Sequence, residues 1–214
     1  MELGRMTDLS HFVQAGMPVF PGDPTPEFVR VSEIQDKGYR LTRIVMGSHT
    51  GTHIDAPSHM LAGGAPVDKV PLDRLMGDAV VLDVTQMKPG EGIFPRDMPL
   101  DEVRQGDMVL LCTGMGAHWG DARYLTNYPY LEVEGARALL ERGVKAVGID
   151  WLSIERYGGV GHPVHDLLLS RGVPIIESLA NLDGIKGRRV SLICLPLKLK
   201  GIDGAPARAV AFEV

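Results

Sequence analysis

The stretch LEVEGARALLERGVKAVGID, residues 131–150, shows how this chain is built. Val133, Ala136, Leu139 and Leu140 recur at helical spacing on one stripe, and Gly143 stands where a left-handed cap ends a helix. An apolar strand, KAVGID (145–150), follows at once. The same order returns in HPVHDLLLSRG (162–172) and VPIIES (173–178), with Pro163 at a first helical position and Gly172 just past the end. Helix then strand, twice over, predicts an α/β layout.

Outward from this core the chain is strand-rich. Apolar or β-branched runs occupy FVRVSEI (28–34), RLTRIVMG (40–47), DAVVLDV (78–84), MVLLCTG (108–114), RVSLICLPL (189–197) and ARAVAFEV (207–214). The 26 glycines and 15 prolines are spread along the whole length, so short elements joined by tight turns are expected rather than a helical bundle. No repeat or long linker divides the chain, and 214 residues suit one domain, 1–214.

Composition excludes several roles. A net charge of −5 with pI near 5.8 and no basic cluster argues against nucleic acid and against an anionic membrane surface. No apolar run nears the roughly 20 residues that span a bilayer. MELGRMTDLSHF lacks the layout of a secretory signal. Cys112 and Cys194 each sit inside an apolar run, as buried structural thiols do. A soluble cytoplasmic protein is the expectation.

The chemistry concentrates in SHTGTHIDAPSH, residues 48–59. His49, His53 and His59 are three of the seven histidines, and Asp55 lies among them. One histidine is more often a surface or hydrogen-bonded core residue than a ligand; three in eleven residues with an aspartate reverse that reading. Imidazole nitrogen and carboxylate oxygen are the usual ligands of zinc and similar divalent ions. Gly51 and Pro57 argue against a continuous helix, so a coiled loop turning His49, His53 and Asp55 inward is expected. Thr50 and Thr52 could then orient the rings. His165, near a helix start, and Glu177, at the end of VPIIES, are the partners that a helix and a returning strand could bring to that loop. His162 is a weaker, supporting candidate.

These residues resemble a family. HTGTHIDAPSH is similar to the signature of the cyclase family, which contains bacterial kynurenine formamidase and isatin hydrolase. Further matches are DLS (8–10), PGDP (21–24), PVDKVPLDRLMGDAVVLDV (66–84), LLCTG (110–114), VGIDWLSIE (147–155), HDLLLSRGVPIIESLANL (165–182) and LPLKLKGIDGAPARAVA (195–211). The resemblance implies a compact α/β fold with a β-barrel-like mixed sheet flanked by a few helices, assembled as a homodimer or homotetramer. It also implies two divalent ions, zinc or else manganese, per subunit. His49, His53 and Asp55 would hold the first ion; His165 and Glu177 would complete the second, with Asp55 and Glu177 shared. His59 would be the general acid/base. Where formamidases carry a tryptophan before the PGD turn this chain has Phe20, an aromatic face for substrate without the indole. Glu155 stands where aspartate is common, and His11 where a smaller residue is expected.

Amide hydrolysis needs a stronger nucleophile than water and a polarised carbonyl, and a divalent ion serves both needs. His59, with a reference pKa near 6.5, could take and return a proton near neutral pH. The leading expectation is therefore a metal-dependent arylformamidase acting on N-formylkynurenine in tryptophan catabolism. Hydrolysis or closure of another small cyclic amide, imide or lactone, as in isatin hydrolase, is the alternative. A non-catalytic metal protein is a third reading, against which stand the absence of thiolate ligands and the spare His59. Trp119, Tyr124, Tyr128 and Tyr130 read chiefly as packing, Asp150 as a support for the site, and Asp23 as a turn residue.

Overall fold

The computed structural model describes residues 4–214. Its first strands are β1 (Met6–Asp8), β2 (Glu27–Ser32), β3 (Leu41–Val45), β4 (His53–Asp55), β5 (Met76–Asp83) and β6 (Gly92–Ile93). There follow β7 (Met108–Cys112), β8 (Tyr130–Leu131), β9 (Ala146–Ile149), β10 (Ile175–Glu177), β11 (Arg189–Pro196) and β12 (Gly204–Glu213). The helices are α1 (Ile34–Lys37), α2 (Val133–Glu141) and α3 (Pro163–Ser170).

Seven strands close into a barrel in the order β12-β11-β5-β7-β9-β10-β4, because β4 pairs back onto β12. The length of β12 makes the closure. Its start, Gly204–Pro206, pairs with β4, and the same edge further on, Val210–Phe212, pairs with β1. Strands β5, β7, β9 and β10 run parallel to their neighbours in that series. Parallel neighbours need crossovers, and α2 and α3 supply them on either side of β9.

Alternation along the strands divides the core in two. On β7, Met108, Leu110 and Cys112 join Val81, Ile176 and Leu192 in the barrel interior, whereas Val109 and Leu111 pack outward on Leu139 of α2 and Leu168 of α3. Apolar residues on both faces are what a covered parallel strand requires. Both cysteines are free and fully buried, and burial pushes the Cys194 thiol up to about 12. They are inert packing residues, as expected from their apolar surroundings.

One local expectation is corrected, and one pair of expected strands lies apart from the barrel. Residues 48–59 are not one coiled loop: His53–Asp55 is a buried barrel strand, since β10 and β12 offer hydrogen-bond edges on both sides. The runs at 28–34 and 40–47 are strands but not barrel strands. β2 and β3 pair only with each other, in a ribbon closed by α1.

Candidate metal centre

Strand periodicity decides which side chains meet. Ile54 points into the barrel, so its neighbours His53 and Asp55 point out of it. On β10, Ile176 points in and Glu177 points out, and the antiparallel register sets Glu177 directly across from His53. Helix α3 packs on this outer face through Val164, Leu168 and Leu169, and the same stripe brings in His165. Residues far apart in sequence thus converge, each less than 5% exposed.

The convergence is symmetrical. His53 Nε2 lies 3.3 Å from Asp55 Oδ1 and 3.6 Å from Glu177 Oε2. His165 Nε2 lies 3.6 Å from Asp55 Oδ2 and 3.3 Å from Glu177 Oε1. These separations exceed good hydrogen bonds. Neighbouring donors that each sit about 2.1 Å from one tetrahedral ion are roughly 3.4 Å apart, close to the separation of His53 from Asp55 and of His165 from Glu177. His53 Nε2 and Asp55 Oδ2 are buried with no hydrogen-bond partner, a condition that costs about 1–3 kcal/mol per group unless something is bound.

The far side of each ring supports this. His53 Nδ1 is 2.7 Å from the Gly51 carbonyl, which only accepts, so Nδ1 carries the proton and Nε2 presents a lone pair. His165 Nδ1 is 2.8 Å from Glu155 Oε2, with the same consequence. Glu155 is itself held by the backbone amides of Val164 and His165. Such outer partners orient metal-binding imidazoles. Burial opposes a charge on His165, but Asp55, Glu155 and Glu177 outweigh it and raise its proton affinity well above normal. A proton on Nε2 and a cation in the cluster are alternatives for the same negative field.

His49 and His59 form the outer half of the centre. His49 bridges two carboxylates, with Nδ1 2.7 Å from Asp55 Oδ1 and Nε2 2.9 Å from Asp203 Oδ2. Burial works against its charge, yet these two bonds lift its pKa to about 9. To ligate an ion the ring must give up one proton. Gly51, at φ +64°, turns the chain between His49 and His53. Gly204 lets the His49 ring lie against β12, since a Cβ there would sit 2.8 Å from His49 Cε1. His59, on the turn Pro57–His59, lies with its ring centroid 4.0 Å from that of His49, tilted by 37°, and is partly exposed. Burial lowers its pKa, so the neutral ring is the resting form. One ligand atom from each of His49, Asp55 and His59, and likewise from His53, Asp55 and Glu177, can meet within 4.8 Å, and both groups share Asp55.

A cavity of about 280 Å³ opens beside the centre. His49, His53, His59, His165 and Glu177 form its floor, and Phe20, Met60, Tyr128 and Leu152 are among its walls. Phe20 and Tyr157 face each other at 5.7 Å between ring centroids. His162 reaches the rim but is exposed and makes no hydrogen bond to the centre. Asp23 closes a turn onto the Phe20 carbonyl, as expected.

Other expectations fare differently. Thr52 does not orient a ring; its hydroxyl donates to the Ser178 carbonyl and accepts from the His11 amide. Asp150 does not reach the centre. It binds the Thr113 and Gly114 amides and holds the loop after β7. Trp119, Tyr124 and Tyr130 pack around Trp151, but Tyr128 also lines the cavity. Asp203 was not singled out by sequence. Its only signal was its place in the matched run LPLKLKGIDGAPARAVA. The role of Glu155 was equally hidden, because its contact with His165 depends on how α3 folds back.

Fold and site together define an α/β barrel protein with a buried histidine–carboxylate centre on its outer face. A family model described as "Putative cyclase" matches residues 7–156. The kynurenine formamidase of Salinibacter ruber is 31% identical over 211 residues, spanning 96% of each chain. Cyclase-like protein 1 of Oryza sativa subsp. japonica is 32% identical, over 98% of this chain and 79% of that one. Among solved structures, a potential metal-dependent hydrolase with cyclase activity superposes with a TM-score of 0.84 at 35% identity, over 98% of both chains. Isatin hydrolase A from Labrenzia aggregata gives 0.89 at 26% identity, over 98% of this chain and 93% of that one. The chain belongs to the cyclase family.

Proposed function

We propose that this protein is a divalent-metal-dependent hydrolase of non-peptide C–N bonds, and that its substrate is an arylformamide, N-formylkynurenine in the first instance. The observation that carries the reading is the pair of orphaned donors, His53 Nε2 and Asp55 Oδ2, buried in a four-residue cluster of which His53, His165 and Glu177 line a cavity. The likeness to kynurenine formamidases over nearly the whole chain supports the substrate class.

His53, Asp55 and Glu177 would hold one ion, with His165 beside both carboxylates, and Asp55, bonded also to His49, could be shared with a second ion. A donor set of nitrogen and oxygen without thiolate suits zinc and accepts manganese. When bound, such an ion polarises the carbonyl and acidifies water. The chain's own residues do the rest. Phe20 offers an aromatic face to the substrate ring. His59, neutral at rest and facing the cavity, takes a proton from the attacking water and returns it to the leaving nitrogen. The C–N bond breaks as the new C–O bond forms, giving an amine and formate.

A second reading keeps the site and changes the substrate to a small cyclic amide, imide or lactone; the similarity to isatin hydrolase A favours it. A structural metal site is disfavoured by the open cavity, since closed coordination is the structural habit. Turnover of N-formylkynurenine, isatin and a dihydropyrimidine, each with and without chelator, tests all three. Chelator-sensitive hydrolysis of the first supports the proposal. Hydrolysis of a cyclic compound alone moves the substrate class, and inactivity on the whole panel sinks the enzyme reading.

The working form is proposed to be a homo-oligomer. The support is the β2–β3 ribbon, which exposes Phe28, Val29, Val31, Leu41, Ile44 and Val45. An isolated two-stranded ribbon is marginally stable in water, and a second copy covering it would remove that apolar surface.

A further inference from the structure

Tyr128 is only 2% exposed and lines the cavity beside the centre, and among the described residues its buried hydroxyl makes no hydrogen bond of good geometry, with Ser153 as its near polar neighbour. Buried tyrosine hydroxyls normally find one, and leaving one unpaired is destabilising. Phenylalanine would fill the same space without that cost, so packing alone does not explain the oxygen. The ring is held firmly. It packs with Met115, Trp151 and Leu152, and its backbone carbonyl accepts from the Gly90 amide at 3.1 Å.

Tyr128 shares the cavity lining with Ser153, Glu155 and Glu177. All three are close enough to bias its proton affinity. The Ser153 oxygen is engaged by the Glu155 amide at 3.1 Å, and both carboxylates are engaged too, by the Ile154 amide and by the start of α3. A buried proton donor therefore stands in the wall of the cavity, beside acceptors that already take backbone amides.

We infer that Tyr128 is a catalytic residue whose hydroxyl donates a hydrogen bond to the acyl oxygen of the substrate, holding it as negative charge develops there. The inference rests on the hydrolase reading and adds a named donor to it. No bond to Tyr128 forms or breaks, and its proton stays on the phenol.

The test is Tyr128→Phe in the metal-loaded full chain, read in three ways. Turnover of N-formylkynurenine should fall in kcat by roughly 10²-fold with little change in KM, the cost of losing one preorganised donor. Metal content should be unchanged and Tm equal or higher, because the unpaired hydroxyl is gone. Binding of benzamide, a non-reacting acyl oxygen, should weaken about tenfold by calorimetry. If the wild type is active and the variant keeps its kcat, Tyr128 is excluded while the hydrolase reading survives. A lower Tm or lost metal would make the residue structural and overturn the inference. If the wild type hydrolyses nothing yet binds benzamide through Tyr128, the hydroxyl's role as acyl-oxygen donor holds and the proposed reaction fails. An inert wild type that binds no benzamide overturns both.

Discussion

Around β4, water is excluded and the side chains are ionisable; along β2 and β3, water reaches both faces and the side chains are apolar. His53, Asp55, His165 and Glu177 are nearly sealed, whereas Phe28 is 41% and Ile44 54% exposed on directly paired positions. Both regions depart from ordinary partitioning, and such departures carry more information than the well-behaved core. The difference lies in what resolves each. Buried donors at 3.3–3.6 Å from one another need something small and positive between them. An exposed ribbon needs area. Among the described residues its ion pairs are Arg30–Glu33 and Arg40–Glu33, surface bridges worth about 0–1 kcal/mol.

Substitution at the shared carboxylate breaks the first region most severely. Asp55→Ala should empty the centre of divalent metal by elemental analysis and cut turnover on the order of 10³-fold, the several kcal/mol that a Lewis acid supplies. Chelator should lower the Tm of the wild type and leave that of Asp55→Ala unmoved, because only the former loses a ligand on treatment. Full metal retention in the variant would end the proposed centre.

His59→Asn separates holding an ion from moving a proton. Metal should stay bound while turnover drops roughly 10²-fold or more; undiminished turnover would remove His59 from the reaction. Glu155→Gln probes the outer support of His165, with an expected loss of about 10–100-fold in metal affinity or activity. Equal metal affinity and equal activity would show that the 2.8 Å contact to Nδ1 is incidental.

The ribbon is tested by Phe28→Ser with Ile44→Ser. Sedimentation should move from oligomer toward monomer while the far-ultraviolet circular dichroism is kept. A wild type that already sediments as a monomer would leave the exposed ribbon without its proposed cover.

The smallest effect is expected at His11, whose amide is bonded to Thr52 beside β4 but whose ring lies outside the centre. Its ring stacks 3.8 Å on Trp119, and burial lowers its pKa to about 4. The neutral ring is the folded form. Its contribution is complete above the unfolded value of about 6.5 and is lost as pH falls from there through 4. His11→Phe should flatten the decline of Tm over that window and change little at pH 8. An unchanged acid limb would show that His11 does not set it.

How much could be read before folding depends on the range of the interaction. The α2 and α3 boundaries, the strand runs and the buried thiols rest on local periodicity and capping, and they were legible. The donors were legible by chemical type and density: three histidines and an aspartate between 49 and 59 have few other uses. The β4 strand was misread as coil because it has only three residues, with polar side chains at both ends, and owes its strand form to edges supplied by β10 and β12. Asp203 stayed hidden because a lone aspartate beside glycines looks like a turn.

By itself, then, the order of residues determined the supply of parts: an alternating α/β chain, enough imidazole and carboxylate for a cation, and membership of a recognisable group. Tertiary structure alone decided the wiring. Which ring nitrogen is bare follows from Gly51 O and Glu155 Oε2 occupying the other one, and Glu177 meets His53 only through the antiparallel register of β10 on β4. That register joins backbone edges more than a hundred residues apart along the chain, and no local pattern encodes a pairing of that kind.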